Sequence, residues 1–132
     1  MPTPPTARLA FIKLHVPDMA TALAFWQEAF GFVVTGTYDL PQFLENILAL
    51  PGQTESGPTL MLLQPRPDQD VTVGPGHGPL GLVVVDIQAS FAHALSAGAT
   101  ALMDPEDVGG VIVAVLASPQ GHQIELVQPL AR

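Results

Sequence analysis

Ionisable residues are scarce in this chain, so the few that interrupt apolar runs carry most of the chemical information. Charged residues make up 12% of its 132 positions. Glu125 stands in the middle of Gln123-Ile124-Glu125-Leu126-Val127. Period-2 alternation puts Gln123, Glu125 and Val127 on one side and Ile124 and Leu126 on the other, the pattern of a half-buried strand. A carboxylate there sits in solvent, meets a cation, or lines a cavity. Lys13 is the only lysine, in the middle of the alternating run Arg8–Val16. A buried ammonium without a partner is costly, so Lys13 either reaches water or meets an anion. Brought to a common site, an amine, a carboxylate and an imidazole such as His15 could move protons and polarise a carbonyl.

The elements that must position these groups follow from spacing and punctuation. In Arg8–Val16, Ala10, Ile12, Leu14 and Val16 alternate with Phe11, Lys13 and His15, which predicts a strand. Pro17-Asp18 breaks it, and Asp18 is placed to cap a helix. Met19, Leu23, Trp26 and Phe30 recur at helical spacing up to the stop at Gly31. Phe32–Tyr38 and Thr59–Gln64 read as strands. Phe43–Leu50 fits either period, and the Pro51-Gly52 turn that ends it favours a strand. The second half repeats this order. Leu80–Val85 is a strand, Asp86 stands where Asp18 stood, Ile87–Ala97 is helical, and Gly98 ends it. Ala99–Met103, Val111–Leu116 and Gln123–Val127 follow as strands, the last after a Ser118-Pro119-Gln120-Gly121 turn. Each half is therefore strand, helix and three strands, and such repetition is a stronger signal than any single element. The expected organisation is an N-terminal lead-in over residues 1–7, one module over 8–64, a Pro- and Gly-rich linker over 65–79, and a second module over 80–128, together forming one α+β domain.

Composition narrows the function classes. A hydrophobic fraction of 48% supplies a core, and 12 acidic against 4 basic residues give a net charge of −8. That balance excludes a nucleic-acid partner, whose backbone requires clustered Lys and Arg. No apolar run is long enough to cross a membrane, and there is no signal-peptide layout. The chain has no cysteine, so disulfides and thiolate chemistry are excluded. A soluble cytoplasmic protein is expected. So apolar and charge-poor a chain also suggests a surface covered by a second subunit.

Three segments, in this order, resemble the vicinal oxygen chelate superfamily of glyoxalase I, extradiol dioxygenases and bleomycin resistance proteins. They are the strand ending Val16-Pro17-Asp18, the stretch Phe25-Trp26-Gln27-Glu28-Ala29-Phe30-Gly31-Phe32, and the closing Ser118-Pro119-Gln120-Gly121-His122-Gln123-Ile124-Glu125-Leu126. The resemblance covers residues 8 to 128 and implies two βαβββ modules whose curled mixed sheets surround a cavity. Members with metal chemistry hold a divalent ion with His or Glu from four strands. The matching positions here are Phe11, Leu62 (within one residue), Leu80 and Glu125, of which only Glu125 offers a donor. No family-type metal centre and no cofactor are therefore expected. Extending these positions along their strand faces gives an expected cavity of Phe11, Lys13 and His15, then Leu60, Leu62 and Gln64, then Leu80, Leu82 and Val84, then Gln123, Glu125 and Val127, with His77 at its mouth. His93, on a helix, and His122, on a turn, are expected to be solvated. Within the cavity Glu125 is the expected partner of Lys13; the plainer alternative leaves both groups hydrated. The implied function is binding of a small apolar or amphipathic molecule by a homodimer, in the manner of bleomycin-resistance-like proteins. The alternative is a glyoxalase-like lyase, isomerase or dioxygenase with Glu125 in catalysis or metal binding.

Overall fold

Asp18 and Asp86 each start a helix in the same way. Asp18 accepts a hydrogen bond from Thr21 N at 3.1 Å, and Asp86 accepts one from Ala89 N at 3.1 Å. Both are extended residues whose carboxylates satisfy one of the unpaired amides of the first turn. A second device is also duplicated. The side chain of Gln64 accepts from Met19 N at 2.7 Å, and that of Gln128 accepts from Ile87 N at 2.8 Å. Each helix is thus tied at its first residue to the last strand of its own half.

These helices, α1 (Met19–Phe30) and α2 (Ile87–Ser96), lie among eight strands in a computed structural model that describes residues 9–54, 57–67, 71 and 78–130. The strands are β1 (Phe11–His15), β2 (Val33–Asp39), β3 (Phe43–Ala49), β4 (Thr59–Pro65), β5 (Leu80–Val83), β6 (Thr100–Asp107), β7 (Val111–Ala117) and β8 (Gln123–Pro129). They form two four-stranded sheets of identical topology, β1-β4-β3-β2 and β5-β8-β7-β6, with β1 parallel to β4 and β5 parallel to β8. The fold is α+β, two βαβββ modules in mixed sheets. The ambiguous run after Pro41 is the strand β3. The lead-in 1–7 lies outside the described residues, as does most of the segment between β4 and β5.

Gly31 ends α1 with φ of 78°, a left-handed conformation that strains any residue with a Cβ. One core serves both modules. Val16, Trp26, Leu48 and Leu62 from the first half and Ile87, Leu116, Ile124 and Leu126 from the second are sealed within it. Trp26 meets Phe25 and Phe32 edge-on, with ring centroids 5.5 and 5.8 Å apart. Each sheet turns one face to this core and leaves the other open.

Candidate functional site

Strand parity decides which side chains reach each open face, and pairing register fixes the parity. In the first sheet Phe11 stands opposite Thr59, Lys13 opposite Met61 and His15 opposite Leu63. Leu63 in turn faces Glu45, and Glu45 faces Tyr38. Phe11, Lys13, His15, Met61, Leu63, Glu45 and Tyr38 therefore share the open face. Leu60 and Leu62, expected in the cavity, lie on the other side, 4% and 0% exposed within the core. Gln64 has the same parity and caps α1. A one-residue slip in the reading of β4 accounts for all three, because it transfers a whole strand face.

The second sheet carries the same correction. Leu80 pairs with Ile124 and Leu82 with Leu126, both buried, whereas Gly81 stands opposite Glu125 and Val83 opposite Val127. Leu80, Leu82 and Val84 pack against the core, leaving Gly81, Val83, Gln123, Glu125 and Val127 on the open face. The sequence spacing already held the remedy. Seven residues separate Phe11 from Asp18, and seven before Asp86 is Pro79, which has the parity of Gly81. His77 lies outside the described residues.

Lys13 does not meet Glu125. Its Nζ is 2.7 Å from Oε1 of Glu45, two strands across the same sheet. The Glu45 side chain is only 8% exposed, against 33% for Lys13. The approach is too oblique for a directed hydrogen bond, and Oε1 is closed to solvent, so the contact is a Coulombic ion pair. On its other flank the ammonium lies 5.4 Å from the centroid of the Phe11 ring. Glu125 is half-buried on the second open face and enters no ion pair among the described residues. Glu45 escaped sequence reading because it lies in the run of undecided period. The alternation Phe43, Glu45, Ile47, Ala49, taken as a strand, would have found it.

His122 corrects a further expectation. It is buried, with its backbone N–H donating to Ser118 Oγ at 3.0 Å and its Nδ1 3.5 Å from that oxygen. Burial lowers its pKa below 6.5, opposed by a hydrogen bond to the backbone of His15. The turn after β7 therefore touches the end of β1, and Gln120 Nε2 reinforces the junction by donating to Asp18 O at 3.0 Å. His93 is exposed on α2, its Nε2 2.8 Å from the carbonyl of Glu28. Beside it a cleft of about 410 Å³ opens between the modules, floored by Phe30, Leu50, Leu82 and Val84. Lys13, Glu45 and Glu125 do not line this cleft.

A family model described as a glyoxalase-like domain matches residues 11–127. The chain belongs to the glyoxalase-like family. An uncharacterized protein of Mycobacterium tuberculosis is 32% identical over 125 residues, covering 89% of this chain and 72% of its own. A glyoxalase I mutant from Zea mays superposes with a TM-score of 0.82 at 19% identity, over 94% of this chain and 48% of the maize protein. The chain thus spans about half the length of that neighbour. A glyoxalase family protein from Bacillus cereus gives 0.81 at 14% identity, over 99% of both chains. These likenesses show the vicinal oxygen chelate superfamily and its fold.

The metal that the superfamily implies finds a poor donor set here. The open-face residues nearest the family's ligand positions are Phe11, Met61 or Leu63, Gly81 and Glu125. One carboxylate among them is too little for a transition metal. No group of three or more His, Asp or Glu suited to a cation occurs among the described residues. Those positions do not fit a family-type centre.

Proposed function

We propose that this glyoxalase-like protein binds a small, largely apolar or amphipathic molecule against the open face of its first sheet, without a family-type metal. The observation that carries this is the composition of that face. Phe11, Ile47, Met61, Leu63 and Tyr38 form an apolar surface interrupted by the ion pair of Lys13 with the buried Glu45 and, at the end of β1, by His15. Predominantly apolar lining with one or two fixed polar groups is the usual make-up of a small-molecule site. A homodimer belongs to the same reading, since a second copy laid over an open face would turn it into an enclosed cavity.

The test uses phenylnaphthylamine, an uncharged dye that fluoresces on leaving water. Saturable binding of one dye per chain is expected, lost in Met61→Asp and indifferent to chelator. A dye that does not bind, or that binds Met61→Asp equally well, would remove the first sheet as the site.

A lyase or isomerase acting through Glu125 is the second reading, favoured by the placement of that carboxylate opposite Gly81 and Val115 on an apolar strand face. Under it, Glu125→Gln abolishes turnover and leaves dye binding at the first sheet intact.

A further inference from the structure

We infer that Lys13 is a hydrogen-bond donor to the ligand and that the ligand is an uncharged apolar molecule bearing a carbonyl oxygen. This rests on the first open face being the binding surface and adds what its ligand must carry.

Four features of the Lys13–Glu45 pair lead there. First, Glu45 Oε1 is closed to solvent and its side chain is 8% exposed against 33% for Lys13, so the more accessible member of the pair is Lys13. Second, an ammonium has three N–H donors and no acceptor. The contact with Glu45 at 2.7 Å offsets its charge and can occupy at most one or two of those donors, so at least one remains for a ligand. Third, the charges limit what can approach. A cation is repelled by the ammonium, and an anion must come within a few ångströms of the Glu45 carboxylate on a chain of net charge −8. A neutral acceptor avoids both. Fourth, the half-exposed ring of Phe11 lies 5.4 Å from the ammonium, and it suits a flat apolar body. A carbonyl oxygen is a good neutral acceptor that such a body can carry without losing its apolar character. The fixed carboxylate then has a clear role. It holds the ammonium in place and removes the net charge that would otherwise draw in anions.

The experiment compares three fluorescent naphthalenes: prodan, an uncharged ketone; phenylnaphthylamine, uncharged and without a carbonyl; and the anionic anilinonaphthalene sulfonate. Each is titrated into wild type, Glu45→Gln and the paired Lys13→Met/Glu45→Gln variant. The paired variant leaves no buried charge unmatched and guards against loss of fold, and circular dichroism checks all three. Prodan affinity is expected to fall about tenfold in the paired variant, the scale of one hydrogen bond to a charged group. Emission of bound prodan should shift to shorter wavelength as its ketone loses the donor, while phenylnaphthylamine affinity stays constant. Glu45→Gln should gain affinity for the sulfonate, which binds wild type weakly. Equal prodan affinity and emission in wild type and the folded paired variant would overturn this inference alone. So would a sulfonate that binds wild type more tightly than prodan does. Failure of both uncharged dyes to bind wild type would instead overturn the reading of the face itself.

Discussion

At the scale of single residues, the Lys13–Glu45 contact is open to a thermodynamic cycle. Glu45→Gln leaves the ammonium without its counter-charge and is expected to lower stability by about 1–2 kcal/mol in urea unfolding. The lysine is one-third exposed, so solvent screening keeps the coupling between Glu45→Gln and Lys13→Met near 1 kcal/mol. The cycle of Lys13→Met with Glu125→Gln should be additive. Coupling in the second cycle and none in the first would reverse the assignment. His122 gives a pH prediction. Its folded-state pKa is depressed by burial from 6.5, so below about pH 6.5 the unfolded chain binds more protons than the native one. Stability is therefore fully present above that pH and declines as acid is added, down to the lowered folded-state value. Urea midpoints should fall between about pH 7 and about pH 5 more steeply in wild type than in His122→Gln. Parallel profiles would mean that the imidazole titrates freely. The sequence left Lys13 to meet either water or an anion and pointed to Glu125; the partner is Glu45, two strands away, and such a pairing depends on register, which no local pattern encodes.

At the scale of elements, the duplicated strand ends carry a cost that can be measured. Gln64 and Gln128 each accept from the first amide of a helix. Gln64→Ala and Gln128→Ala should each cost about 1 kcal/mol, the usual loss for a helix cap, and should add in the double variant because they serve different helices. Changes below about 0.3 kcal/mol would assign those amides to water. The signal was present in the sequence as Leu62-Leu63-Gln64-Pro65 and Leu126-Val127-Gln128-Pro129, the same apolar pair, amide and proline closing each half. Read as a repeat, it would have placed Gln64 at a helix rather than in a cavity. Helices, their Asp caps and the succession of strands along the chain were legible because periodicity and punctuation are local. The faces of β4 and β5 were misread because parity turns on a single residue. Once counted seven before Asp86, as in the first half, β5 comes out with Gly81 on the open face.

At the scale of the whole molecule, both open faces expose large apolar groups that a solitary chain would leave in water. Val83 and Val85 are 77% and 94% exposed, and Phe11 is 44% exposed. Large apolar side chains left this exposed on a sheet face are the material of a contact surface. Light scattering at tens of micromolar is expected to give twice the 13.9 kDa chain mass, and Val83→Lys should return it towards one. A wild-type mass of one chain would leave both faces to ligands alone.

Gly81 has a consequence for the history and future of the site. It stands opposite Glu125, and a Cβ built on it meets nothing within 4 Å. Substitutions there cost the fold little, so drift at this position is nearly free of selection for stability. A single change to histidine would set an imidazole beside an existing carboxylate on an already shaped surface. The second sheet thus sits one residue substitution from a donor pair, and chemistry can be gained or lost at that face while the rest of the protein stays as it is.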